Sequence, residues 1–190
     1  MTAIMQQELK KALAILEAGG LILYPTDTVW GIGCDATNPL AVQKVYALKK
    51  REESKALICL VSSYMMLEQV IPEVPVAARE LLQVAQKPTT IIYHRPQWVA
   101  HNLVAEDNTL AIRVVQHEFC ELLIEKFGKP IVSTSANISS QKTAESYQEI
   151  SREILEGVDY VVNLHQQNQA AQPSAILLLG NDGEVTVLRA

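Results

Sequence analysis

Leu9, Ala12, Leu13 and Leu16 recur at helical spacing, and Gly19-Gly20 behind them supplies a stop. Leu21 to Tyr24 follows as a short apolar strand that Pro25 ends, and TDTVWGIGCDA then reads as a loop or a second short strand. Asn38-Pro39 is a helix start with proline in the first helical position, and Val42, Val45, Tyr46 and Lys49 fall on one face of that helix. Leu57 to Val61 is the next strand. Helices are predicted over 63–69 and 75–86, strands over 89–93 and 109–115, and a helix from Glu118 to Phe127 that Gly128 stops. KPIVSTSANISS (129–140) reads as a buried strand running into a polar loop. Ser146-x-x-Glu149 has the form of a capping box for a helix ending near Gly157. DYVVNL is a strand, and SAILLLGNDGEVTVLR is a hairpin with Asn181-Asp182-Gly183 at its turn.

Strands and helices alternate, but hairpins are mixed in. The pattern predicts an α/β fold on a mixed parallel and antiparallel sheet. The 190 residues suit one domain, 1–190, because no repeat, low-complexity tract or linker divides them. An apolar share of 48% excludes a disordered chain. No apolar run reaches the roughly 18 residues of a membrane span, and the first residues lack a secretory pattern, so a cytoplasmic protein is expected. Cys34, Cys59 and Cys120 are far apart and read as free thiols, and the four histidines lack metal-ligand spacing, so no dedicated metal site is expected. The net charge of −5 argues against nonspecific nucleic-acid binding driven by overall charge. Its distribution is uneven: Lys44, Lys49, Lys50, Arg51 and Lys55 against Glu52 and Glu53 give residues 44–55 a charge of +3, which leaves −8 elsewhere.

Four stretches could carry chemistry. YPTDTVWGIGCDA packs threonines, an acid and glycines at a strand end, as a pocket for something small and polar would need. LKKREESKAL is either a solvated basic helix end, which the helix dipole favours, or a polyphosphate clamp of Lys49, Arg51 and Lys55. VSTSAN, with Ser133, Ser135 and Asn137, is either a hydroxyl-rich turn or a shelf of donors and acceptors for a ligand. Arg113, inside the apolar LAIRVV, is either a solvent-side arginine or a receptor for a carboxylate or phosphate. No phosphate-binding G-x-x-x-x-G-K-[ST] or dinucleotide-binding G-x-G-x-x-G is present, and no G-x-S-x-G surrounds the serines.

In order, YPTDTVWGIGCDA, LKKREESKAL, KPTTIIY, LAIRVV, KPIVSTSANISS and PSAILLL resemble the YrdC-like threonylcarbamoyl-AMP synthases over roughly residue 5 to 190. The family's K-x-R-x-x-x-K followed by S-x-N appears as Lys49, Arg51 and Lys55, then Ser135 and Asn137. The resemblance implies a twisted mixed sheet with flanking helices around a positively charged cavity. It implies synthesis of threonylcarbamoyl-AMP and pyrophosphate from L-threonine, bicarbonate and ATP, with Mg²⁺ bound along with the ATP. A downstream tRNA threonylcarbamoyltransferase complex would then modify adenosine 37 of tRNA. By resemblance, Thr28, Arg113, Ser133 and Ser174 hold threonine, and Arg51, Lys55, Thr109, Ser135, Asn137, Thr143 and Arg189 hold ATP. Lys49 and Arg51 would stabilise charge during the reaction. Ser140 stands where the family usually carries glycine, and Leu60 where many members carry histidine. Two further readings stay open: a non-catalytic paralogue binding double-stranded RNA or tRNA, and a related carbamoyl- or adenylate-forming enzyme with another acceptor.

Overall fold

In the computed structural model, which describes residues 1–52, 57–167, 172–180 and 184–190, the first apolar periodicity becomes helix α1 (Ala3–Glu17). Thr2 caps it by accepting the Met5 N–H, and Met5, Leu9, Ala12 and Leu16 turn inward. Glu8 shares that buried face. Its Oε2 accepts from the Tyr160 hydroxyl at 2.5 Å and from the Asn163 N–H at 2.8 Å, so this acid pins the helix to the sheet. Glu8→Ala strands both donors and is expected to cost about 3 kcal/mol in urea unfolding. Activity at 25 °C should be unchanged, because the residue lies outside the cavity described below.

Strands β1 (Ile22–Tyr24) and β2 (Gly31–Gly33) form an antiparallel pair. The Tyr24 ring lies across this pair and dictates glycine at 33, where a Cβ would sit 2.6 Å from Tyr24 Cε1 and 3.0 Å from the Val132 carbonyl oxygen. Helix α2 (Pro39–Lys49) starts at Asn38, whose Oδ1 accepts from the Leu40 and Ala41 N–H groups. Val42, Val45, Tyr46 and Lys49 form its buried face, as the spacing predicts. Strand β3 (Ile58–Val61), helices α3 (Tyr64–Val70) and α4 (Val76–Val84), and strands β4 (Thr89–His94) and β5 (Thr109–Val114) follow. Helix α5 (Glu118–Phe127) ends at Gly128, which takes the left-handed φ of 70° that favours glycine.

After strand β6 (Ile131–Ser135) the chain departs from the sequence reading. Ser146 caps nothing, and residues 147–149 form one 3₁₀ turn. Ile150 is extended and buried, which breaks the helical path, and Ser151 instead caps helix α6 (Arg152–Gly157) by accepting the Ile154 N–H. Glu149 serves the turn before it, accepting the Glu145 N–H at 3.0 Å. Strands β7 (Tyr160–Val161), β8 (Ala175–Leu179) and β9 (Val185–Arg189) complete the described elements. Strands β8 and β9 pair antiparallel as a hairpin, and the expected turn at 181–183 lies outside the described residues.

The nine strands among the described residues form one sheet in the order β7-β1-β2-β6-β3-β5-β4-β8-β9. The pairs β1–β7, β3–β5 and β4–β8 are parallel and the others antiparallel, which is the mixed sheet expected. Strand β6 is antiparallel to both its neighbours and joins the β7-β1-β2 group to the other five strands. No helix among the described residues is long and apolar enough to cross a membrane. The three cysteines are buried free thiols, and burial raises their pKa values.

Candidate active site

Strands β2 to β6, β8 and β9 open onto a cavity of about 400 Å³, within the ~300–1,000 Å³ range of small-molecule sites. Pleating decides which side chains enter it. On β5, Ala111 and Arg113 share a face, and on β6 Ser133 and Ser135 do. Thr28 and Gly31 come from the β1–β2 connection and β2, Arg51 from the chain after α2, Thr143 from the loop beyond β6, Ser174 from just before β8, and Arg189 from β9. Eight of the residues singled out in the sequence therefore share one lining: Thr28, Arg51, Arg113, Ser133, Ser135, Thr143, Ser174 and Arg189. The described lining holds three arginines and no carboxylate.

Arg113 is buried, not solvent-facing. Its Nη2 lies 3.0 Å from Asp27 Oδ1 and donates to Thr28 Oγ1 at 3.3 Å, while its buried Nε has no partner. Thr28 is itself held: its N–H donates to Thr26 Oγ1 at 3.1 Å, and that hydroxyl donates to the Val29 carbonyl at 2.8 Å. Arg189 donates from Nε to the Ser174 carbonyl at 2.8 Å and from Nη2 to Ser174 Oγ at 3.3 Å. Burial, then the nearby Arg113 charge, lowers the Arg189 pKa, so an anion between the two guanidiniums would relieve both. Ser174 Oγ also shares a 2.8 Å hydrogen bond with the buried Thr90 hydroxyl.

Three residues named from sequence sit outside this lining. Thr109 begins β5, and its hydroxyl donates to Asp107 Oδ1 at 2.6 Å. Asn137 donates from Nδ2 to the Ile138 and Gln141 carbonyls, closing the loop after β6. Lys49 is only 1% exposed, and its ammonium donates to the Ser135 carbonyl and, at 2.6 Å, to the Asn137 carbonyl. Burial, then the Arg51 charge, brings its pKa down to about 8. Lys49 thus ties the end of α2 to the end of β6, and Ser139 N–H donates back to the Lys49 carbonyl at 2.8 Å. Lys55 lies outside the described residues.

The loop that carries Thr143 contains a strained position. Ser140 has φ of 69° on an exposed turn, in the region that disfavours a Cβ. Ser140→Gly is expected to raise stability by about 0.5–1 kcal/mol, and a urea midpoint that does not increase would refute the strain. Sequence reasoning missed Asp27 and Thr90. The acid inside Thr26-Asp27-Thr28 and the doubled threonine of KPTT are the signals that could have revealed them.

The Sua5/YciO/YrdC family model, described as telomere recombination, matches residues 14–190, and the chain belongs to that family. The threonylcarbamoyl-AMP synthase of Pseudoalteromonas translucida (strain TAC 125) is 33% identical over 178 residues, covering 90% of this chain and 92% of that protein. Relatives of this name make the chain an enzyme of nucleotidyltransferase type. Among solved structures, P. abyssi Sua5 complexed with L-threonine superposes with a TM-score of 0.84 at 24% identity, covering 95% of this chain and 53% of that one. The chain therefore spans about half the length of Sua5. E. coli YciO gives a TM-score of 0.84 at 22% identity, covering 97% of this chain and 89% of that one. Both share the fold.

Proposed function

We propose that this protein is an L-threonylcarbamoyladenylate synthase that joins L-threonine, bicarbonate and ATP and releases pyrophosphate, supplying the threonylcarbamoyl group for position 37 of tRNA. The observation that carries this reading is the convergence of three arginines and the hydroxyls of Thr28, Ser133, Ser135, Thr143 and Ser174 on one cavity. The name shared by curated relatives at about one-third identity supports it.

The chemistry asks for alignment, not for a side-chain nucleophile. The threonine amine and bicarbonate condense to a carbamate with loss of water. A carbamate oxygen then attacks the α-phosphorus of ATP, and the bond to pyrophosphate breaks. Arg113 takes the threonine carboxylate, with Thr28 and Ser133 beside it in the lining. Arg51 and Arg189, with Lys55, take the phosphate oxygens, and Ser135 and Thr143 orient the nucleotide. These cations would make the cavity electropositive. Lys49 and Asn137 act from outside by fixing the end of β6, where Ser135 sits, and the loop that follows it. When bound with ATP, Mg²⁺ neutralises phosphate charge. The described lining presents hydroxyls and no carboxylate, so the nucleotide's own phosphates would carry the ion.

The test is pyrophosphate release from purified protein with ATP and Mg²⁺, omitting L-threonine or bicarbonate in turn. Release is expected to need both and to favour threonine over serine and valine. A folded protein that binds tRNA at low salt but releases no pyrophosphate would instead be the RNA-binding paralogue.

A further inference from the structure

We infer that Asp27 is a positioning residue for amino-acid recognition: anchored to the backbone beyond β5, its carboxylate holds the Arg113 guanidinium at the cavity wall for a substrate carboxylate. The inference rests on the proposed function and extends it to a residue outside the cavity lining.

Asp27 and Arg113 are 5% and 4% exposed at their side chains, and their charged atoms lie 3.0 Å apart. Such a pair is costly to bury unless its remaining hydrogen-bonding capacity is met. The acid is fixed from behind, because Asp27 Oδ2 accepts the Gln116 N–H at 3.2 Å from the chain just beyond β5. The same carboxylate is therefore tied to the backbone after Arg113 by a hydrogen bond and to the guanidinium by charge. On the guanidinium, Nη2 donates to Thr28 Oγ1 and lies within ion-pair distance of Asp27 Oδ1, while Asp27 Oδ1 and Arg113 Nε are both buried without a hydrogen-bond partner. Arg113 still lines the cavity, so this incompletely satisfied pair leaves the guanidinium hydrogen-bonding capacity that a bound anion could meet.

Charge gives a second role. Arg113 and Arg189 face one cavity and disfavour each other. Asp27, which is not in the described lining, offsets the Arg113 charge. This end of the site then suits the single charge of a carboxylate, and the phosphates fall to Arg51 and Arg189. Asp27 thereby separates the amino-acid end of the cavity from the nucleotide end.

The test uses Asp27→Asn and Asp27→Glu in the full chain, with steady-state kinetics and calorimetric titration. The titrations compare L-threonine with L-threoninamide, which lacks the carboxylate. Asp27→Asn is expected to raise the threonine KM by about tenfold or more while the ATP KM moves less than about twofold. The preference for threonine over threoninamide should shrink by a similar factor. Asp27→Glu keeps the charge but displaces the guanidinium, and should raise the threonine KM by about three- to tenfold. It serves alone if the asparagine variant does not fold. Threonine KM values within about twofold of wild type, or threonine and ATP KM values that rise together, would overturn the inference. A wild type that neither binds nor turns over L-threonine removes the proposed function and this inference with it. Normal wild-type turnover with unaffected variants removes the inference alone.

Discussion

Replacing Arg113 with alanine is expected to lower pyrophosphate release from L-threonine and ATP by about 10²–10³-fold. Two losses add. The cavity loses the lining cation that takes the amino-acid carboxylate, so the amino acid is no longer held for attack. Asp27 also becomes a buried carboxylate without its counter-ion, which costs about 3–5 kcal/mol of stability. Arg113→Lys separates these effects. Lysine retains a positive charge near Asp27 but loses the planar fork, so stability falls less while carboxylate recognition still fails. The deciding measurement is the threonine KM of Arg113→Lys beside its urea midpoint. An unchanged KM would take Arg113 out of amino-acid recognition.

Lys49→Met is the second large effect, reached without touching the cavity. The substitution leaves the Ser135 and Asn137 carbonyls without their shared donor and costs about 2–4 kcal/mol, partly offset by removing a buried charge. Ser135 then loses its fixed position, and pyrophosphate release should fall by about 10²-fold with a raised ATP KM. A pH signature identifies the cause. In the folded protein the Lys49 pKa stands at about 8, below its ordinary 10.5. Below pH 8 both folded and unfolded chains carry this proton, and the burial penalty is fully present. Between about 8 and 10.5 the unfolded chain holds a proton the folded chain releases, so stability rises with pH, by up to about 3 kcal/mol. The neutral amine keeps two N–H groups, enough for both carbonyls. Urea unfolding of wild type minus Lys49→Met across pH 7.5–10.5 should show this rise. A flat difference curve would assign Lys49 an ordinary exposed pKa.

Legibility followed the range of the interactions. Helices α2 and α5 were readable because their punctuation is local: Asn38 and Pro39 at one start, Gly128 at one stop. The start of α6 was misread because Ser146 and Glu149 fit a capping pattern, while the burial of Ile150, a tertiary effect, moves the cap to Ser151. Arg113 stood out as a lone cation in an apolar strand, and the structure gives its reason in Asp27. No local pattern links those two positions, since the β1–β2 connection and β5 meet only in the folded chain. Lys49 shows the opposite limit. Its spacing with Arg51 groups the two as one basic cluster, yet one faces the cavity and the other is turned into the protein.

Strand β6 meets β2 at Gly31 with Ser135 and Ile32 with Thr134, continues through an Asp35–Ile131 bridge, and meets β3 through three pairs. It is the seam along which two half-sheets are sewn. Thr28 belongs to one half and Arg113 to the other, and Ser133 and Ser135 lie on the seam itself. Neither half alone can therefore hold a substrate, and a partly folded chain is a silent one. During refolding, substrate binding should return only in the phase that closes this long-range pairing, the slow step for a sheet of such topology.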